Sequence, residues 1–98
     1  MIKLLLEAIP NQQFTARLDG IRYNVTIKET AGVMAATIVR DGETVIQNSR
    51  IVAGYPLIPY RYKSPDSNFV LLTENDELPD WRMFGGTQSL LYGNVADI

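Results

Sequence analysis

The order of apolar and polar positions predicts short β-strands joined by tight turns. Phe14 to Leu18 alternates, Asp19-Gly20 follows, and alternation resumes from Ile21 to Lys28. Asp-Gly between two alternating runs indicates a hairpin, because a two-residue turn of this kind needs positive φ at both central positions. The register then puts the apolar residues on one face, as the pairs Leu18–Ile21, Ala16–Tyr23 and Phe14–Val25.

The other face of this hairpin sets two arginines opposite each other. It pairs Thr15 with Asn24 and Arg17 with Arg22, and like charges in directly opposed positions repel. Two interpretations stay open: both arginines extend into water, or carboxylates of another strand or subunit lie across them. A source of such carboxylates is a neighbouring chain, or the acidic loop from Glu74 to Asp80 in a second copy.

A second hairpin is predicted next. Glu29 to Gly32 forms a turn, Val33 to Arg40 a strand, and Asp41-Gly42 the turn that sends Glu43 to Asn48 back. Without interruption, this register opposes Arg40 to Glu43, Ile38 to Val45 and Thr37 to Ile46. Both faces are then partly apolar, which is typical of a strand pair in the core or at an interface.

Four further segments complete the predicted fold. The apolar run Ile2 to Ala8 is typical of a strand buried on both sides. Phe69 to Thr73 and Gln88 to Tyr92 are two more strands, and Asp80 to Phe84 fits at most one helical turn. The sequence therefore predicts an all-β domain over residues 1–98, a small barrel or sandwich of about seven or eight short antiparallel strands.

The stretch from Ile51 to Tyr62 is predicted to be the hinge of this domain. Gly54 and Pro56 bracket Tyr55, and the prolines cannot donate ladder hydrogen bonds. Its aromatic residues next to Arg61 suit either base stacking on an OB-type barrel or a protein interface. Trp81 and Phe84 are the best aromatic anchors elsewhere, with core packing an equal alternative for Trp81. The candidate interface residues are Arg17, Arg22, Tyr55, Tyr60, Tyr62, Trp81 and Phe84.

Composition argues against catalysis. The 98 residues carry a net charge of −2 and include neither cysteine nor histidine. Thiolate chemistry, disulfides, the usual general base and the commonest metal ligand are therefore missing. The carboxylates of the loop Glu74 to Asp80 lack the spacing of a calcium loop. We expect no enzyme activity, no cofactor, no metal and no nucleic-acid binding.

The N-terminal run bears on location. Met1 to Glu7 is too short for a signal-peptide core or a membrane span. We therefore expect no membrane contact, and a chain that belongs to the cytoplasm or to an assembly built there.

Several motifs follow one another in an order typical of a known family. They are Ile9-Pro-Asn-Gln-Gln-Phe14, Leu18-Asp-Gly20 with Tyr23, Asp41-Gly42, Arg50-Ile-Val-Ala-Gly-Tyr-Pro-Leu57, and Gly86 followed by Leu90-Leu-Tyr92. Together they resemble the small baseplate plug domain of contractile-tailed bacteriophages, the cyanophage-type baseplate plug family, over nearly the whole chain. Two regions depart from that pattern, since Val33-Met34 stands where a tryptophan is frequent and Asp80-Trp81-Arg82 where Asp-Pro-Thr is frequent.

The resemblance implies a structural role in the virion tail baseplate, assembled in the host cytoplasm. It implies a non-enzymatic plug that contacts other baseplate, hub or spike, and tail-tube proteins, as a homo-oligomer with threefold or sixfold symmetry. The alternative function is an OB- or SH3-like adaptor that binds a peptide or single-stranded nucleic acid.

Overall fold

Seven strands form two antiparallel sheets in the computed structural model, which describes residues 2–58 and 67–94. Strands β1, β7 and β6 make a three-stranded sheet, and β2 to β5 make a four-stranded sheet in chain order. The strands are β1 (Ile2–Leu4), β2 (Gln12–Leu18), β3 (Ile21–Thr30), β4 (Val33–Arg40), β5 (Glu43–Arg50), β6 (Ser67–Leu72) and β7 (Ser89–Asn94). One 3₁₀ turn spans Trp81–Met83. The all-β prediction is confirmed, and the form is a sandwich rather than a closed barrel.

Three two-residue turns connect the four-stranded sheet. Both central residues of each turn have positive φ: 54° and 75° at Asp19-Gly20, 50° and 83° at Ala31-Gly32, and 48° and 84° at Asp41-Gly42. Such turns match the right-handed twist of the strands they join. Both predicted Asp-Gly turns are confirmed. The turn predicted over Glu29 to Gly32 is shorter, because Glu29 and Thr30 still belong to β3.

The first hairpin has the predicted register. Leu18 pairs with Ile21, Ala16 with Tyr23, Phe14 with Val25, and Arg17 with Arg22. Tyr23, Val25 and Ile27 are buried, whereas Arg22, Thr26 and Lys28 on the opposite face are exposed or half-buried. The hairpin therefore has one core face and one solvent face.

The register predicted for the second hairpin is wrong beyond its tip. Arg40 opposes Glu43, but Ile38 opposes Ile46 rather than Val45, and Ala36 opposes Ser49. Two β-bulges in β5 explain the shift, since each sets two residues of β5 against one position of β4. The second lies at Asn48, whose φ of 48° accompanies a hydrogen bond from its backbone N–H to Thr37 Oγ1. The first lets the adjacent residues Val45 and Ile46 both be buried.

The N-terminal strand is also shorter and less buried than predicted. It covers Ile2–Leu4 and, among the described strands, pairs with β7 alone, at the edge of the three-stranded sheet. Ile2 is 48% exposed and Leu5 is 89% exposed, while Leu6 turns back into the core. An apolar run here marks an edge strand with one partner, not a strand covered on both faces.

The core lies where the inner faces of the two sheets meet. Its most buried residues come from both sheets: Tyr23, Val25, Ile27 and Ile38 from one, and Phe69, Leu71, Leu90 and Tyr92 from the other. The Tyr23 ring meets the Phe69 ring edge-on, with centroids 5.1 Å apart, and the Tyr92 ring at 5.4 Å. Edge-to-face contacts at these distances add to the energy of burial, by roughly 1 kcal/mol per pair.

The crossover segment, residues Ile51 to Ile58, connects the two sheets. The bend predicted at Gly54 is present, with a φ of 81°. The Gly54 N–H donates to Leu71 O and the Leu57 N–H to Phe69 O, so the segment runs along the outer edge of β6. The buried Asn68 side chain fixes its end, because it accepts from Ile58 N and donates to Ile58 O. The rest of the predicted hinge lies outside the described residues.

Gly20→Val tests the first turn. A β-branched residue resists positive φ, so we expect roughly 2 kcal/mol of destabilisation, measured as a lower melting temperature and denaturant midpoint. No heavy atom lies within 4 Å of the added Cβ, so a clash would not explain such a loss. Gly20→Asn is the matched control, since asparagine tolerates this conformation and should cost much less. Equal melting temperatures for the valine variant and the wild type would contradict the turn assignment.

Candidate protein interface

The four-stranded sheet turns a polar surface away from the core, and we call it the outer sheet face. Register assigns to it every second residue of the strands. Its members include Gln13, Thr15, Arg17, Arg22, Asn24, Thr26, Lys28, Ala35, Thr37, Val39, Thr44 and Arg50. None of these described members is aromatic or acidic. The two strand carboxylates, Glu29 and Glu43, pair with Met34 and Arg40 on the opposite side.

Four cations stand on this face in two groups. Arg17 and Arg22 oppose each other near the first turn. Lys28 and Arg50 flank Ala35 in a row across β3, β4 and β5, and Ala35 is only 6% exposed. The two groups lie roughly 20 Å apart along β3, because a strand rises about 3.3 Å per residue.

Neither group is neutralised within the part of the chain that the structure describes. There, none of the four cations forms an ion pair with a carboxylate. Arg17 Nη1 donates a long hydrogen bond of 3.4 Å to Gly20 O. Asp41 lies next to Arg22 but accepts from its backbone N–H, at 3.1 Å from Oδ1, rather than from its guanidinium.

Sequence reasoning placed Arg17 and Arg22 on this face but did not identify Lys28 and Arg50 as members of it. An uninterrupted second hairpin opposes Ala35 to Asn48, and only the two bulges of β5 bring Arg50 level with Ala35 and Lys28. The available signal was Val45-Ile46 followed by Asn48, an apolar pair and a residue that tolerates positive φ. Such a signal does not fix where the extra residues fall.

A groove of about 420 Å³ lies beside the 3₁₀ turn. Apolar and acidic side chains both line it, Met34, Leu78 and Met83 with Glu29, Glu77 and Asp80, and Arg82 is the one cation among the lining residues. We call it the acidic groove. Leu78 is 75% exposed, so an apolar side chain stands in water among carboxylates.

Buried Gln88 holds the wall of the acidic groove. Its Nε2 donates to Leu78 O at 2.8 Å, and its Oε1 accepts from Asp80 N at 2.9 Å. Thr87 Oγ1 donates to Glu77 Oε1 at 2.7 Å. These bonds fix the second half of the acidic loop, whereas the side chains of Glu74 and Asp76 are exposed.

Trp81 connects this groove to the four-stranded sheet. Its ring packs partly on the core, and its Nε1–H donates to Glu29 Oε2 at 3.0 Å. The Arg82 guanidinium lies 4.8 Å from the ring centroid and pairs with Asp80 at 3.3 Å. Trp81 therefore has one face in the core and polar contacts at the surface.

The other aromatic candidates differ in their exposure to solvent. Tyr55, on the crossover segment, is 66% exposed and presents its ring to solvent. Phe84 is 4% exposed and belongs to the core, so it has little surface to offer a partner. Tyr60 and Tyr62 lie outside the described residues. The interface roles of all seven candidates remain predictions.

A partly buried hydroxyl network joins the two sheets near Arg17 and Arg22. Tyr92 Oη donates to Asp19 Oδ2 at 3.1 Å and lies 3.3 Å from Tyr23 Oη. Ser67 Oγ donates to the same Asp19 oxygen at 3.4 Å. Burial, followed by the hydrogen bond with Tyr23, raises the pKa of Tyr92 well above its ordinary value. Tyr92 therefore stays protonated and acts as a donor to Asp19.

These features define a class of protein. The described residues hold no cluster of three or more side chains suited to a metal ion, and no described helix is long and apolar enough to cross a membrane. The distinctive surfaces are a cationic sheet face and an acidic groove with exposed apolar side chains. They are the features of a β-sandwich that acts by contact with other molecules.

Comparison with known proteins gives the family. Residues 1–95 match the family described as Cyanophage baseplate Pam3 plug gp18, and the chain belongs to that family. The match confirms the family predicted from the motifs. Membership makes the chain a structural component of a phage tail baseplate, with other baseplate proteins as its partners. A search of curated proteins gave no match.

The Tyr92 network predicts a loss of stability at alkaline pH. The pKa of Tyr92 is raised in the folded chain, whereas in the unfolded chain it has the ordinary tyrosine value of about 10. As pH rises above about 10, Tyr92 therefore loses its proton in the unfolded chain before it does so in the folded chain, and this favours unfolding. The stabilisation is fully present below about pH 10 and falls as pH rises further, by up to about 1.4 kcal/mol per pH unit.

Tyr92→Phe tests this account by denaturant unfolding at several pH values. We expect a loss of about 1–2 kcal/mol at pH 7, because the hydrogen bond to a carboxylate is removed, and a flatter stability profile above pH 10. Tyr55→Phe, at an exposed tyrosine, should leave both quantities nearly unchanged. An equally steep alkaline loss in Tyr92→Phe would show that the network does not control it.

Proposed function

We propose that this chain is a plug or hub-associated subunit at the tip of the tail tube, which works through protein–protein contacts and catalyses no reaction. The observation that carries the proposal is the family match, which spans 95 of the 98 residues. Its partners in this proposal are hub or spike proteins, tail-tube proteins and further copies of itself. We also propose threefold or sixfold symmetry, as a homo-oligomer around the tube axis.

The physical character of the fold supports this role. A tail-tip subunit has to keep its shape while its neighbours move, and both sheets of this chain share one core of interlocked aromatic and aliphatic side chains. The outer edge of β6 is covered by the crossover segment, and β5 is bulged twice. Both devices protect strand edges against uncontrolled pairing. Contact with partners is thereby left to defined surfaces.

The adaptor alternative has less support. An OB-type single-strand site needs a barrel surface with aromatic side chains on which bases stack. Here the sheets do not close into a barrel, and the described members of the cationic outer sheet face include no aromatic residue. Tyr55, the exposed aromatic candidate, lies on the crossover segment instead.

Electron microscopy of intact tails tests the proposal. We expect density for this sandwich at the distal end of the tail tube, and particles without an assembled tail tip when the gene is deleted. Complementation with the wild-type gene is the control for the deletion. Normal, infectious tails that lack this chain would contradict a structural role.

Nucleic-acid binding gives a separate prediction. With oligo(dT) as the probe, we expect only weak association at low salt, and none at physiological salt, because a few surface cations without stacking partners hold single strands poorly. Fluorescence anisotropy measures it, with a known single-strand-binding protein as the positive control. Submicromolar, salt-sensitive binding would place the adaptor function first.

A further inference from the structure

We infer that the outer sheet face docks on the acidic loop and acidic groove of a second copy of this chain, forming a head-to-tail contact. The inference rests on the proposed function and names the self-contact within it. It also extends the contact beyond Arg17 and Arg22 to the row of Lys28 and Arg50.

The first argument is an excess of positive charge on the outer sheet face. Four cations share a face on which no described strand position carries a carboxylate, in a chain whose net charge is −2. The rest of the molecule is correspondingly more acidic than the whole. Arg17 and Arg22 are held opposite each other by the turn, so they repel in the isolated chain. A carboxylate placed across them removes that repulsion.

The second argument is the matching surface on the same chain. Glu74 and Asp76 are exposed. The one ion pair among the described residues joins Arg82 to Asp80, so neither Glu74 nor Asp76 forms an ion pair there. The acidic groove adds Glu29 and Glu77 around exposed Leu78. An interface needs this combination, since charge guides the approach and an apolar side chain gains energy by burial.

The third argument concerns geometry. A cationic face cannot pack on its own copy around a twofold axis, because like charges then meet. It can pack on the acidic surface of the next copy, which is a heterologous contact. Heterologous contacts close into rings when the rotation between copies is a simple fraction of a turn. The charge distribution therefore favours a head-to-tail contact over a twofold one, and a head-to-tail contact is compatible with the ring of the proposed function.

The contact is also of a type that can form without refolding. The outer sheet face consists of strand positions locked by the sheet, and its threonine, asparagine and glutamine side chains can hydrogen-bond a partner directly or through water. The groove wall is fixed by Gln88. Rigid surfaces lose little entropy on docking.

Charge reversal followed by restoration tests the contact, with sedimentation of the purified full chain as the readout. We expect wild-type self-association that weakens as salt rises. Arg17→Glu/Arg22→Glu should weaken it roughly tenfold or more, and so should Lys28→Glu/Arg50→Glu. Lys3→Glu, a reversal at an exposed lysine of β1 outside the face, is the matched control and should have little effect.

The restoring variant keeps the test specific. Glu74→Lys/Asp76→Asn alone should also weaken association, and asparagine is chosen because Asp76 has a φ of 58°. Combining it with Arg17→Glu/Arg22→Glu sets a cation of the loop against the new carboxylates of the face and should recover part of the association. A wild-type chain that stays monomeric at low salt, or a combination that recovers nothing, would overturn the inference.

Two further measurements separate folding and function from docking. Arg17→Gln/Arg22→Gln should melt at the wild-type temperature or slightly above it, since the variant removes a repulsive pair, while it weakens association. If the face-reversed variants enter tail tips and those tips assemble normally, the head-to-tail contact is overturned and the proposed function still stands. Tail tips without the chain would overturn the proposed function itself.

Discussion

The Asp19-Gly20 turn is the constraint on which most of this structure depends. Positive φ at both residues fixes the register of β2 and β3. That register sends Tyr23 inward, where it meets Phe69 and Tyr92 of the other sheet, and sends Arg17 and Arg22 outward. The Asp19 carboxylate then accepts hydrogen bonds from Tyr92 and Ser67. One turn therefore sets the core contact between the sheets, a polar bond between them and the charge on the outer surface.

The β5 strand shows how local irregularity shapes a surface. Each of its two bulges sets two residues of β5 against one position of β4 and reverses the side to which the following residues point. As a result Val45 and Ile46 are both buried, and Arg50 joins the row of Ala35 and Lys28. The same irregularity makes β5 a poor template for an added strand. Protection of an edge and placement of a charged side chain thus come from one feature.

Features with local causes were predictable from the sequence, and features with distant causes were not. Turn residues and alternation indicate the hairpins, because a two-residue turn imposes its geometry on adjacent positions, and β4 has the predicted bounds Val33–Arg40. The Tyr92–Asp19 bond joins residues 73 positions apart, and the acidic groove brings Glu29 next to the loop from Glu77 to Asp80. No local sequence pattern predicts those contacts. The prediction that the N-terminal run is a strand buried on both sides was wrong for a related reason. The number of strands that pair with it depends on the strand order of the sheet and not on its own residues.

In the proposed head-to-tail contact, the outer sheet face gains stabilising interactions that a single copy of the chain lacks. In a free monomer, the opposed arginines Arg17 and Arg22 lower stability slightly, and exposed Leu78 contributes no energy of burial. Both cost little, because solvent screens the charges and a single exposed apolar residue is tolerated. In the proposed contact, each would become favourable, because the second copy would supply carboxylates and remove water. A small core that includes three contacting aromatic rings can tolerate that modest penalty, so the proposal places stability on one face of the four strands and assembly on the other.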